Sequence, residues 1–201
     1  MIGHPCPNIL QTLNKNKTKA GTFFIMLYTL SAGWAGRLAH FALTFNAPKI
    51  IIKLNNLEDS EMIDALYEAS NAGVKIELIV RSICRLRPGV PGLSENITLT
   101  CVIGRYLEHS RIFIFNNDNA PKVFLGSSDW MERNLRSRVE VVFPVYDEAC
   151  KDEIFSFIKL QLAPYRKSSL IDQNLKSIPI EPGSECGNDT QEAFYQLIKE
   201  K

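Results

Sequence analysis

An α/β fold with a mixed, largely parallel sheet flanked by helices is predicted for this chain by three observations. A β-branched run, Lys49-Ile50-Ile51-Ile52-Lys53-Leu54, leads through an amphipathic stretch into a second apolar run, Val74 to Val80. Strand, helix and strand within about thirty residues form a crossover unit whose two strands lie parallel. Downstream, two further β-rich runs flank Asn116-Asn117-Asp118-Asn119, the composition of a hairpin turn, so antiparallel pairing is expected in the same sheet.

Residues 1–22 are polar and turn-rich and read as a poorly ordered lead. An apolar run follows, from Phe23 to Phe45. A basic lead before an apolar run raises a signal peptide or a membrane helix. Arg37 and His40 interrupt the run and are costly at bilayer depth, and Gly33 and Gly36 break it. A buried strand at 23–28 and a core helix near 31–45 are expected instead. A cytoplasmic chain follows, with membrane association as the alternative.

The first crossover strand, 49–54, ends in Asn55-Asn56-Leu57-Glu58-Asp59-Ser60. There Asp59 or Ser60 can cap a helix, and the acids suit its positive end. Met62, Ile63, Leu66, Tyr67 and Ala69 form the apolar stripe, and Ala72-Gly73 stops the helix. Arg81 directly follows the next strand, 74–80. Ligands of open α/β sheets collect beyond the carboxyl ends of strands, which puts Arg81 in the expected crevice. Pro88, Gly89, Pro91 and Gly92 mark a turn-rich loop before a strand from Ile97 to Ile103.

Tyr106 to Phe115 reads as the next strand, because isoleucine and phenylalanine alternate after a charged entry. Residues two apart on a strand share a face, so His109 and Arg111 are expected to project together. An imidazole can carry a proton or a phosphoryl group near neutral pH, and arginine grips phosphate oxygens bidentately. A lone His-x-Arg more often only caps a strand edge, here with Glu108 as the histidine's partner. The return strand ends in Gly126-Ser127-Ser128-Asp129-Trp130, whose amides and hydroxyls suit an anion, although alone such a group is simply a turn. A strand at Val139–Val145, a helix over 147–162, a loop-like tail and a short helix from Thr190 to Lys199 complete the reading.

The net charge of +1 is uninformative, but its distribution is not. Eight of the ten arginines lie between Arg81 and Arg138, with one lysine, against five acids. Lysine is the commoner base elsewhere, so this window calls for arginine's fork rather than for charge alone. The five cysteines are widely spaced, which argues against a zinc site or a disulfide framework.

A His-x-basic strand, a hairpin and a Gly-Ser-x-(Asp/Asn) turn resemble the signature of the phospholipase D-like superfamily. Here Arg111 stands for the usual lysine and Asp129 for the usual asparagine, which argues against an ordinary phosphodiesterase of that group. A closer resemblance covers Lys49 to Pro144. It is carried by Lys53-Leu54-Asn55-Asn56-Leu57-Glu58-Asp59, Ile63-Asp64-Ala65-Leu66-Tyr67-Glu68-Ala69-Ser70, Leu78-Ile79-Val80-Arg81, Leu86 to Ile97, Gly104 to Arg111 and Ser127-Ser128-Asp129-Trp130-Met131. These ordered blocks resemble the C-terminal domain of the bacterial type 1 polyphosphate kinases, itself phospholipase D-like.

The resemblance implies a phospholipase D-like sandwich over 23–165, followed by a tail with a terminal helix over 166–201. It implies reversible transfer of the terminal phosphate of ATP to inorganic polyphosphate through a phosphohistidine. ATP or ADP would be substrate, with Mg2+ whose ligands lie outside this chain; nucleic acid is not an expected partner. Arg81 and His109 would bind nucleotide, His109 also acting as general acid or base, and Arg111, Ser127 and Ser128 would join the phosphate site. No metal ligands are assigned. In that family the phosphorylated histidine lies in a preceding domain, and neither His4 nor His40 sits in a matching motif; Ser82 and Arg85 also stand where the family more often has glycine and cysteine. An upstream kinase domain or a homo-oligomer would therefore complete the enzyme. The alternatives are a dimeric phosphodiesterase using His109 as nucleophile and a non-catalytic polyanion-binding or assembly module.

Overall fold

A computed structural model describes residues 49–116, 120–165, 167–181 and 189–199. The expected lead, the strand at 23–28, the helix near 31–45 and the tip of the hairpin turn lie outside the described residues.

One eight-stranded sheet organises the chain, in the order β6-β5-β4-β1-β2-β3-β7-β8. Its strands are β1 (Lys49–Leu54), β2 (Lys75–Val80), β3 (Ile97–Val102), β4 (Ile112–Asn116), β5 (Lys122–Gly126), β6 (Val142–Val145), β7 (Ser168–Ile171) and β8 (Ser177–Pro179). The described helices are α1 (Ser60–Asn71), α2 (Glu132–Ser137), α3 (Glu148–Leu162) and α4 (Thr190–Lys199). The sheet is mixed, as expected, but it is not largely parallel. Only β1–β2 and β2–β3 pair parallel, whereas β1–β4, β4–β5, β5–β6, β3–β7 and β7–β8 are antiparallel. Helix α1 carries the chain from β1 to β2 and the loop over 81–96 carries it from β2 to β3, which makes these three strands parallel; β4 to β6 and β7 to β8 join antiparallel on either side.

Alternation along β1 sorts its side chains between two cores. Ile50, Ile52 and Leu54 pack with Met62, Leu66 and Ala69 of α1 and with Trp130. On the other face Ile51 joins Ile79, Ile112, Ile114 and Ile158, against Ile154, Phe155 and Phe157 of α3. The sheet thus lies between helices, and each fully buried Leu or Ile contributes about 1.5–3 kcal/mol. Asp59 caps α1 by accepting from the Met62 amide at 3.1 Å, and Asp147 caps α3 by accepting from Cys150 at 2.8 Å. Gly73 ends α1 with φ +89°, a conformation that a side chain would strain.

Two expectations are corrected. Residues 167–179, read as loop, contribute β7 and β8, and β7 extends the sheet beside β3. The strand expected from Tyr106 begins only at Ile112, because Ile112 pairs with Lys53 and β1 ends one residue later. Residues 104–110 pair with no strand among the described residues and run as an irregular segment, bounded by main-chain bonds of Ile103 to Lys167 and of Arg111 to Gly126. His109 and Arg111 therefore do not share a strand face.

Candidate functional site

All the expected site residues gather at one edge of the sheet. Arg81 follows the C-terminus of β2, and Ser127 follows that of β5. Because β4 is antiparallel to β1, its N-terminal end, with Arg111 just before it, comes to the same edge. Beyond the strands, the Arg81 amide donates to Leu54 (3.3 Å) and the Ser82 amide to Asn55 (2.9 Å). Leu57 makes parallel bridges to both Cys84 and Trp130. This main-chain seam carries the β1–β2 register into the loops and fixes the floor of the edge.

Asp129 is the hub, only 4% exposed. Its Oδ1 accepts from the Asn55 amide at 2.9 Å and from Arg111 Nε at 3.2 Å. Its Oδ2 accepts from Arg111 Nη2 and Asn56 Nδ2, both at 3.1 Å, and from Asn55 Nδ2 at 3.5 Å. Burial pushes this carboxyl's pKa up, but the bonds from Arg111, Asn55 and Asn56 outweigh it and hold it below the ordinary range. Arg111 also donates from Nη1 to the His109 carbonyl at 2.8 Å. On the other side, Arg81 Nε donates to Asn55 Oδ1 at 3.3 Å. One hydrogen-bonded path thus runs from Arg81 through Asn55, Asp129 and Arg111 to the main chain of His109.

The side chains take different parts from those the sequence suggests. Arg111's bidentate face is occupied by Asp129, so it organises the edge. Glu108 does not pair with His109; it forms a 2.9 Å ion pair with Lys53. The imidazole of His109 is exposed. Ser127 is exposed, but its hydroxyl bonds to buried Glu140 and accepts from the Val141 amide at 3.0 Å. The buried Ser128 hydroxyl donates to the Asp129 carbonyl at 2.8 Å. Both serine hydroxyls shape the turn.

Several residues that hold this edge have no site role assigned from the sequence. Lys53, 3% exposed at the end of β1, also donates to Gln161 Oε1 at 3.2 Å and lies 5.6 Å from the centre of the Phe157 ring. Gln161 and Gln191 both donate to Glu108 Oε1, at 3.3 and 2.9 Å. The signal that could have found Lys53 is a lysine at a position where an apolar strand should be dry. Asn55-Asn56 at a strand's carboxyl end carried a similar signal.

A cavity of about 200 Å³ opens beside Arg81, lined also by Val102 to Leu107 and Gln191. Burial raises the Cys101 thiol nearby, and Lys53 and Arg81 offset only part of that; burial pushes Cys84 to about 11. Neither thiol is a nucleophile at neutral pH. Among the described residues no group of three or more His, Cys, Asp or Glu side chains could hold a metal ion. The acids at the edge are engaged: Asp129 by N–H donors, Glu108 by Lys53, and Glu140 by Ser127 and Asn134. This donor set does not fit a magnesium ion. No helix among the described residues is long and apolar enough to cross a membrane.

Comparison with known proteins places this chain in a family. The family model described as polyphosphate kinase C-terminal domain 2 matches residues 37–191. Polyphosphate kinase of Vibrio vulnificus is 40% identical over 163 residues, which are 81% of this chain and 23% of that protein. The polyphosphate kinase of Bacillus anthracis is 53% identical over 114 residues, 57% of this chain and 16% of that one. The crystal structure of polyphosphate kinase from Porphyromonas gingivalis superposes with a TM-score of 0.81 at 34% identity, covering 96% of this chain and 30% of that chain. The chain spans less than a quarter of the length of these two curated relatives. It belongs to the polyphosphate kinase C-terminal domain family.

Proposed function

We propose that this chain binds ATP or ADP and inorganic polyphosphate, and takes part in reversible transfer of the terminal phosphate of ATP to polyphosphate. The observation that carries the reading is the path linking Arg81 to His109 at the ligand edge of a polyphosphate kinase family sheet. Asn55 takes the Nε–H of Arg81, and no partner for its terminal Nη donors is found among the described residues. Those donors meet the nucleotide phosphates. The exposed imidazole of His109, on a main chain pinned by Arg111, reaches the transferred group and gives or takes a proton. Asp129 and Arg111 position both. Transfer between phosphate oxygens needs chiefly alignment and charge neutralisation, which a fixed arginine and an imidazole supply.

The covalent step is assigned to a second histidine outside residues 49–199. Magnesium would supply charge neutralisation to the nucleotide phosphates, with ligands other than the acids of this edge, which are engaged by N–H and O–H donors. The test is to incubate the chain with radiolabelled ATP and analyse it for acid-labile protein label. The chain should retain ATP and polyphosphate while His109 stays unlabelled. Label that disappears in His109→Ala would make His109 the phosphate carrier and overturn this division of roles.

A further inference from the structure

We propose that Gln191, in the first turn of α4, is a positioning residue that holds the His109 segment in its binding geometry; the functional part of this inference rests on the phosphotransferase reading above. Residues 104–110 have no strand partner among the described residues, so their main-chain groups need satisfaction elsewhere. The Gln191 carboxamide meets that need from both sides. Its Oε1 accepts from the Tyr106 amide at 2.6 Å, and its Nε2 donates to the Tyr106 carbonyl at 2.7 Å and to Glu108 Oε1 at 2.9 Å. One side chain thereby mimics a strand neighbour, three residues before His109. Gly104 passes so close that a Cβ there would collide with this carboxamide.

The rest of α4 serves the same clamp. Asp189 accepts from the amides of Gln191 (2.9 Å) and Arg105 and pairs with Lys167 at 2.7 Å. Phe194 packs on Phe157 of α3 at 4.8 Å between ring centres. The carboxamide is directed at Tyr106 and Glu108, and it lines the same cavity as Arg81. Glu108 is held from beneath by Lys53, so the segment is fixed from both faces.

Amide hydrogen exchange and ATP titration on the full chain test the proposal. In Gln191→Ala, exchange at Tyr106, corrected for its intrinsic rate, should rise about tenfold or more, and ATP should bind about tenfold more weakly. Exchange in β1 and β2 should be unchanged. Gln191→Glu supplies the signature that a merely structural contact lacks. At neutral pH its carboxylate cannot donate to the Tyr106 carbonyl and faces the Glu108 carboxylate, so the segment loosens. On acidification the introduced carboxyl gains a proton, regains its donor, and protection at Tyr106 should return. Unchanged exchange at Tyr106 in Gln191→Ala, or protection independent of pH in Gln191→Glu, would overturn the clamp. Absence of ATP binding by the wild-type chain would instead refute the phosphotransferase reading, and the exchange measurements would still decide the clamp.

Discussion

Replacing Asp129 by asparagine removes one acceptor oxygen and one charge and leaves the shape intact. If the retained oxygen keeps the bonds from the Asn55 amide and Arg111 Nε, the new amino group faces Arg111 Nη2 and the amides of Asn55 and Asn56, all donors. The loss includes one charge-assisted bond, about 1.5–3 kcal/mol, and weaker neutral bonds of about 0.5–1.5 kcal/mol each. Arg111 keeps 17% of its side chain exposed, so water offsets part of this. The net cost of Asp129→Asn at pH 7 is about 2–4 kcal/mol. Urea unfolding of both proteins measures it. The pH dependence supplies an internal check. Asp129's folded pKa is depressed, so its ionic contribution is fully present above the unfolded value of about 3.9 and is lost as pH falls through the folded value. The stability gap between the two proteins should therefore narrow below about pH 4. A gap near zero at pH 7, or one that stays constant down to pH 2, would refute the hub assigned to Asp129.

Lys53→Met should cost about 2–4 kcal/mol in urea unfolding by leaving half-buried Glu108 without its cation, and Lys53→Met with Glu108→Gln should recover part of that loss. An equal or larger loss in the double variant would mean that the ion pair is not the cause. Trp130→Ala should cost about 3–5 kcal/mol, because the ring is 2% exposed and stacked on Phe113 at 5.6 Å. A melting temperature within a degree or two of wild type would contradict that packing.

The sequence carried the crossover and the hairpin because both are local: β-branched runs, an acid-capped amphipathic helix and a turn-rich junction lie within a few dozen residues. It misjudged the parallel share because the antiparallel pairs β1–β4 and β3–β7 join strands more than fifty residues apart, and Ser168 to Ile171 carry little β-rich patterning. The arginine window was visible, but the role of each arginine was not. Arg111 and Arg136 are paired with buried or capping acids, Asp129 and Asp59, and Arg87 donates to the Gln173 carbonyl. An arginine that binds a ligand and one that satisfies an acid look alike in a sequence. Gln161 and Gln191 were invisible for a related reason: their partners lie more than fifty residues away, and a glutamine on an amphipathic helix ordinarily faces water.

The proposed function requires that Arg81 and His109 face one nucleotide at the carboxyl ends of the parallel strands. Calorimetric titration of ATP into the wild-type chain, Arg81→Ala and His109→Ala tests it most directly. Arg81→Ala should weaken binding by about 1.5–3 kcal/mol, as for a lost charge-assisted contact, and His109→Ala by about 0.5–1.5 kcal/mol. His109→Ala should keep wild-type stability, since its imidazole is exposed, whereas Arg81→Ala should cost about 0.5–1.5 kcal/mol, because Asn55 Oδ1 loses its bond from Arg81 Nε while the main-chain seam stays. ATP affinity unchanged in both variants would contradict the account.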